Sequence, residues 1–279
     1  MIVATSPLQA GHRRRILVPT MGALHDGHRA LIRRARDIAG DDGEVVVSIF
    51  VNPTQFAPGE DFDRYPRMLE DDGHACEAEG VDIVSAPDVH TVYGESDARE
   101  RVTLDPGELG GVLEGAQRPG HFAGVLTVVS ILFQQVAPEA AVFGEKDYQQ
   151  LELIRRMCRD LSLGVRVFGV PTVRDPDGLA MSSRNAYLNP DDRSIALAIP
   201  RALEAGASAA RRGPRATEAD ARAILDDAGI EVHYVTVRGP SLDDPPASGS
   251  GRLLIAAGVG SVRLIDNCEV ELAAVTDYE

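Results

Sequence analysis

Two histidines set three residues apart, His25 and His28, close the stretch Pro19-Thr20-Met21-Gly22-Ala23-Leu24-His25-Asp26-Gly27-His28. On the first turn of a helix that spacing brings both imidazoles to one face. Imidazole N–H groups beside a helix N-terminus donate hydrogen bonds to a phosphate chain, and to the charge that builds on it during reaction. Gly22 and Gly27 allow a tight turn and a close approach of the backbone to a ligand. The same residues also fit a polar surface turn or half of a metal site, so their neighbours in sequence must decide.

Several other stretches hold residue types suited to an anionic ligand. Asn52 and Gln55 are neutral amides that donate and accept, which suits a hydroxyl-bearing carboxylate; simple loop capping is the other reading. Arg118, in Arg118-Pro119-Gly120-His121-Phe122, fits a carboxylate or phosphate partner, or an ordinary surface arginine. In Gly144-Glu145-Lys146-Asp147-Tyr148-Gln149-Gln150, Lys146 is a point charge for phosphate oxygens and Asp147 a cap or ribose ligand. Asp147 and Gln150 share a helix face. The two hydroxyls and guanidinium of Met181-Ser182-Ser183-Arg184-Asn185 suit a phosphate clamp. Asp71 and Asp72, after Glu70, offer oxygen ligands for Mg²⁺, or a plain acidic helix face.

The elements that must position these residues alternate. Ile16–Val18 reads as a strand and Gly27–Ala39 as a helix closed by Gly40. Glu44–Val51 is a near-continuous apolar run, the pattern of a strand buried on both faces. Pro53 ends it. A helix is expected from Tyr65-Pro66 to Gly80, then a strand at 81–84, a polar excursion over 94–111 and a helix over 122–136. A strand at 140–143, a helix to Leu161 and a strand at 165–170 follow. This rhythm predicts an α/β fold with a Rossmann-like parallel sheet and ligands at the strand C-termini. After residue 172 the character changes. Asp191–Arg212 reads as one alanine-rich helix, and Thr217–Ala228 as another with Thr217 as N-cap. Glu231–Arg238 reads as a strand and Gly239–Gly251 as a loop. Leu253–Ala257 with Val262–Asp266 reads as a hairpin. The expected domains are residues 1–172, for nucleotide and acid binding, and 173–279, a small α+β C-terminal lid.

Composition limits the partners. The 279 residues carry a formal net charge of −15, which argues against generic binding to nucleic acid or an anionic membrane. Cys76, Cys158 and Cys268 are scattered, and read as free thiols rather than a disulfide framework or zinc site. No apolar run approaches the ~20 residues of a membrane span. A cytoplasmic protein is expected.

Five stretches together carry a resemblance. His25-Asp26-Gly27-His28 is similar to the His-x-Gly-His signature of the nucleotidyltransferase superfamily, and residues 181–185 resemble a reduced form of the Lys-Met-Ser-Lys-Ser loop of class I aminoacyl-tRNA synthetases. Residues 19–28, 47–56, 118–125, 143–150 and 181–185 occur in the order found in the pantothenate synthetase (pantoate–β-alanine ligase) family, and the likeness runs from about Ile16 to Glu271. The resemblance implies ATP-dependent condensation of pantoate with β-alanine through a pantoyl adenylate, with AMP and pyrophosphate released. It implies a homodimer, Mg²⁺, and a smaller domain over the site. His25, His28 and Lys146 would stabilise the transferring phosphate, and Ser182, Ser183 and Arg184 would clamp the triphosphate. Met21, Gly22 and Met181 would line the ATP, and Asp147 would meet the ribose. Gln55 and Gln150 would hold pantoate, and Asn52 and Arg118, in matching motifs, would also bind it. Family members usually carry a strand and a full helix before the Pro-Thr-Met-Gly strand. Only 15 residues precede Ile16, which implies a missing or reduced first helix. The competing readings are a related nucleotidyltransferase acting on another acid or a nucleotide, and a dead module that senses ATP or pantoate.

Overall fold

The computed structural model describes residues 1–8, 13–56, 61–95 and 101–273. The chain divides into two compact units, Met1–Glu145 with Gln149–Pro171, and Lys146–Tyr148 with Thr172–Glu279.

The first unit contains β1 (Ile2–Ala4), β2 (Arg15–Thr20), α1 (Asp26–Ala39), β3 (Glu44–Ile49), α2 (Leu69–Ala78), β4 (Ile83–Ser85), α3 (Val89–Tyr93), α4 (Glu114–Gln117), α5 (His121–Val136), β5 (Ala140–Gly144), α6 (Tyr148–Asp160) and β6 (Arg166–Val170). The strands form one parallel sheet in the order β1-β4-β3-β2-β5-β6. β2 lies inside it, and Ile16, Leu17 and Val18 have no exposed surface. Alternate residues choose the face: Ile16, Val18, Val45, Val47, Ala140 and Val142 share one core with Leu31, Ile32 and Ala35 of α1. Each fully buried Leu or Ile there contributes about 1.5–3 kcal/mol. From β2 the chain winds outward through β3 to β4, then returns to the other side of β2 as β5. Strand order therefore reverses beside β2, and the carboxyl ends of β2 and β5 flank a switch-point crevice, the usual ligand site of such sheets.

The strand expected ahead of β2 is present, since Ile2, Val3 and Ala4 pair with Ile83, Val84 and Ser85. Residues 5–8, 13 and 14 are not helical; residues 9–12, like 96–100 of the expected excursion, lie outside the described residues. α2 starts at Leu69, later than expected, because Pro66 biases the residue before it away from helical geometry.

The second unit contains α7 (Pro190–Ala196), α8 (Ala198–Ala209), α9 (Pro214–Asp227), β7 (Glu231–Arg238), β8 (Gly249–Val259) and β9 (Val262–Leu272). The strands form an antiparallel sheet in the order β7-β8-β9. Ile199, Leu203, Ala221 and Leu225 of the helices share a core with Leu253 and Ile255 of β8. Two expectations are corrected. The long helix over 191–212 breaks at Leu197, because Pro200 has no N–H for the Ala196 carbonyl and its ring crowds that carbonyl. Thr217 is not an N-cap. α9 begins at Pro214, suited to a first helical position, and the buried Thr217 hydroxyl donates to the Gly213 carbonyl at 3.0 Å. The hairpin is longer than expected and turns on Gly260-Ser261 alone, with Val259 opposite Val262 and Gly260 at φ +56°. Three contacts tie Lys146–Tyr148 to this unit: Asn267 Nδ2 donates to the Lys146 carbonyl at 2.9 Å, Tyr148 Oη donates to the Pro240 carbonyl at 2.8 Å, and the Arg252 guanidinium lies 3.8 Å from the Tyr148 ring centre.

Among the described residues no helix is long and apolar enough to cross a membrane. The cysteines are free. Burial pushes the Cys76 thiol up to about 12, with Asp72 adding to it, and the Cys158 and Cys268 thiols up to about 11. Little thiolate then exists at pH 8. The native protein is expected to resist iodoacetamide at that pH, and to take up three equivalents once denatured. Rapid native alkylation, read by mass spectrometry, would contradict this.

Candidate active site

β2 ends at Thr20, whose hydroxyl donates to the Ser48 carbonyl at 2.8 Å and accepts from the Gly22 amide at 3.2 Å. The chain then turns with left-handed geometry at two successive residues, Gly22 (φ +81°) and Ala23 (φ +51°). Left-handed geometry is unfavourable for alanine, so something must hold it. Asp72 of α2 does. Its carboxylate, 3% exposed, accepts from the Ala23 amide at 3.0 Å and the Leu24 amide at 2.7 Å. A Cβ on Gly22 would stand 2.8 Å from Asp72 Oδ2, which leaves room there for glycine alone.

The turn delivers His25 to the N-cap of α1. His25 Nδ1 accepts from the Gly27 amide at 3.1 Å, and His28 Nδ1 accepts from the His25 amide at 3.3 Å. The rings lie 4.1 Å apart at 38°. Each Nδ1 spends its lone pair on a backbone N–H, so the proton of each neutral ring sits on Nε2. Two Nε2–H donors therefore belong to the positive end of α1. Met21 is half-buried in the same turn.

β3 leads to Asn52, which caps the short 3₁₀ turn Pro53–Gln55. Asn52 has no exposed surface. Its Oδ1 accepts from the Thr54 amide (3.2 Å), the Thr54 hydroxyl (3.0 Å) and the Tyr93 hydroxyl (2.7 Å); its Nδ2 donates to Gln55 Oε1 (3.0 Å) and the Gly124 carbonyl (3.3 Å). Burial holds the Tyr93 hydroxyl above its ordinary pKa, so it remains a donor. The Gln55 carbonyl accepts from Arg118 Nη2 at 3.2 Å and His121 Nδ1 at 2.9 Å, while Arg118 Nη1 donates to His121 Nε2 at 3.1 Å. On α6, Gln149 and Gln150 divide the work. Gln149 is buried and pins the Leu109 and Val112 carbonyls and the Glu114 amide. Gln150 is half-buried, and none of the described residues hydrogen-bonds its side chain.

In the second unit, Lys146 Nζ lies 3.7 Å from Asp147 Oδ2. Ser182 caps the 3₁₀ turn Ser183–Tyr187 through the Arg184 amide at 3.3 Å. Met181, Ser182, Ser183 and Arg184 are all half-buried. The chain leading into this loop is braced twice. Arg174 makes a two-point pair with Asp266, at 2.6 and 3.1 Å; burial opposes its charge, but the carboxylate outweighs that and raises its pKa. Arg193 reaches Asp175 and Asp177, each at 2.8 Å.

A family model described as pantoate-beta-alanine ligase matches residues 3–269. The chain belongs to the pantoate–β-alanine ligase family. A pantothenate synthetase of Saccharopolyspora erythraea is 55% identical over 269 residues, covering 96% of this chain and 87% of that one. The crystal structure of pantothenate synthetase from Thermus thermophilus has a TM-score of 0.88 at 43% identity, covering 96% and 99% of the two chains. A pantoate–β-alanine ligase from Francisella tularensis, complexed with β-γ ATP and β-alanine, has a TM-score of 0.78 at 33% identity, covering 96% and 97%. Family membership makes this chain an α/β ligase enzyme.

Two expectations drawn for a pantoate–β-alanine ligase give way to the geometry. Asp71 and Asp72 do not form a Mg²⁺ pair: Asp71 is exposed, whereas both oxygens of Asp72 face backbone amides, whose hydrogens would repel a cation. Asn52, expected at pantoate, is buried with both ends of its amide engaged, one of them on Gln55. Arg118, expected at pantoate, donates to the Gln55 carbonyl. Sequence reasoning missed Tyr93, His121 and Gln149 as supports. Only His121 and Gln149 had a signal, their place inside recognised motifs.

Proposed function

We propose that this ligase condenses pantoate with β-alanine at the expense of ATP through a pantoyl adenylate. A pantoate carboxylate oxygen attacks the α-phosphorus, the bond to the bridging oxygen breaks, and pyrophosphate leaves. The β-alanine nitrogen then attacks the acyl carbon and gives up a proton, and the acyl–phosphate C–O bond breaks to release AMP. Such chemistry needs positioning and charge stabilisation more than a nucleophilic side chain. The observation that carries the reading is the capped histidine pair, whose Nε2–H donors belong to a helix N-terminus.

In this reading His25, His28 and Lys146 stabilise the transferring phosphate, and Ser182, Ser183 and Arg184 hold the triphosphate. Met21, Gly22 and Met181 line the nucleotide, and Asp147 meets the ribose. Gln55 and Gln150 hold pantoate. Mg²⁺ enters as the companion of the ATP phosphates, and no carboxylate pair of the chain is assigned to it. The working form is a cytoplasmic homodimer.

AMP release tests this directly. Purified protein with ATP and Mg²⁺ should release AMP only when pantoate and β-alanine are both present, and should release pyrophosphate with pantoate alone. Steady AMP release without β-alanine, or none with both substrates, would remove the reading.

A further inference from the structure

The network around Asn52 fixes a direction as well as a position. The Thr54 amide can only donate, and it faces one end of the Asn52 amide at 3.2 Å; that end must be Oδ1. The Gly124 carbonyl can only accept, and it faces the other end, which must be Nδ2. Nδ2 then has a hydrogen for Gln55, so the Gln55 atom it meets is Oε1. The oxygen of the Gln55 amide is thereby turned inward and its NH₂ group outward. None of the described residues accepts from that NH₂. Arg118 and His121 hold the Gln55 carbonyl, so the backbone cannot rotate to undo the arrangement. The shortest bond to Asn52 Oδ1 comes from Tyr93, 41 residues away in sequence, 2.7 Å from it and 1% exposed.

We propose that Tyr93 is a positioning residue for acid recognition: through Asn52 it holds Gln55 with its NH₂ facing the ligand, so the enzyme selects an acid that presents an acceptor oxygen there. This rests on the reading of Gln55 as a pantoate ligand. A carboxylate or hydroxyl oxygen satisfies the NH₂; a group that can only donate leaves two donors opposed, at the cost of a lost buried hydrogen bond. Tyr93 touches no substrate in this scheme and acts only through Gln55.

The test is a double-mutant cycle on the intact enzyme, with kcat, the pantoate KM and the ATP KM measured for wild type, Tyr93→Phe, Gln55→Ala and the double variant. Tyr93→Phe keeps the buried ring and removes one donor. It should raise the pantoate KM about five- to tenfold, the size of one hydrogen bond, with kcat and the ATP KM within about twofold. In the Gln55→Ala background the same change should add nothing. Equal effects in both backgrounds, or an ATP KM that rises in step, would overturn the proposal and leave Tyr93 a packing residue. Gln55→Glu tests the direction without touching Tyr93. Its outward oxygen should repel the acid, so its pantoate KM should exceed that of Gln55→Ala; the opposite order overturns the proposal. Wild type that turns over pantoate while Tyr93→Phe is unchanged defeats this inference alone. Wild type with no turnover of pantoate defeats both the inference and the functional reading beneath it.

Discussion

Lys146→Ala is expected to lower turnover by about 10²-fold or more, the scale seen when one preorganised charge-stabilising donor is removed. The geometry makes this a clean removal of charge. The backbone at 146 is held by Asn267 through the Lys146 carbonyl, and Tyr148 is fixed by Pro240 and Arg252; none of these bonds needs the lysine side chain. The carboxylate beside the ammonium is Asp147 at 3.7 Å, in a pair partly open to solvent that contributes little to stability. The melting temperature should therefore stay close to wild type while kcat falls. The first half-reaction, followed by pyrophosphate release with pantoate and ATP, should fall as much as the complete reaction. A variant with near-wild-type kcat would remove Lys146 from the phosphate. A variant with an intact kcat and a raised ATP KM would move it to ground-state binding.

Asp72→Ala should damage stability and activity together. It strips acceptors from two amides in a turn that is left-handed at Gly22 and Ala23. An orphaned amide there costs about 1–3 kcal/mol, so the loss of both bonds should cost about 2–6 kcal/mol by denaturant unfolding, with no Mg²⁺ in the buffer. Relaxation of the turn displaces His25 and His28, and a misplacement of about 1 Å costs on the order of 10² in rate. Asp72→Asn keeps one acceptor and should fall between. Mg²⁺ decides between this role and metal binding. A turn brace gives a defect that excess Mg²⁺ leaves unchanged, whereas recovery of activity as Mg²⁺ is raised would restore Asp72 to the metal.

Much of this was legible in the sequence because the relevant patterns are local. The spacing of His25 and His28 beside Gly22 and Gly27 specifies a strand, a tight turn and a helix N-terminus, and the structure has all three. The apolar run 45–47 specifies a strand buried on both faces. What stayed hidden depends on which way a side chain faces once the chain has folded. Asp71 and Asp72 look alike in Glu70-Asp71-Asp72, yet one meets water and the other the signature turn. Asn52 and Gln55 are equally amides, and only burial shows that the first orients the second. Tyr93 sits in a stretch with no motif, and its bond to Asn52 crosses 41 residues. The break at Leu197 is readable in the sequence, since Pro200 stands in the middle of the alanine-rich run and lacks the N–H that a continuous helix needs.

The pairing of β1 with β4 also sets an order of assembly. Ile2 is made before its partner Ile83, and β2, α1, β3 and α2 all lie between the two. β2 finds β3 across a shorter loop, so the centre of the sheet can close while Ile2–Ala4 still waits, and the loop it must close is the costlier one. β1, at the edge away from β2 and β5, thus has the longer loop to close of the two pairings. The turn that carries the histidine pair can be in place before the sheet is complete.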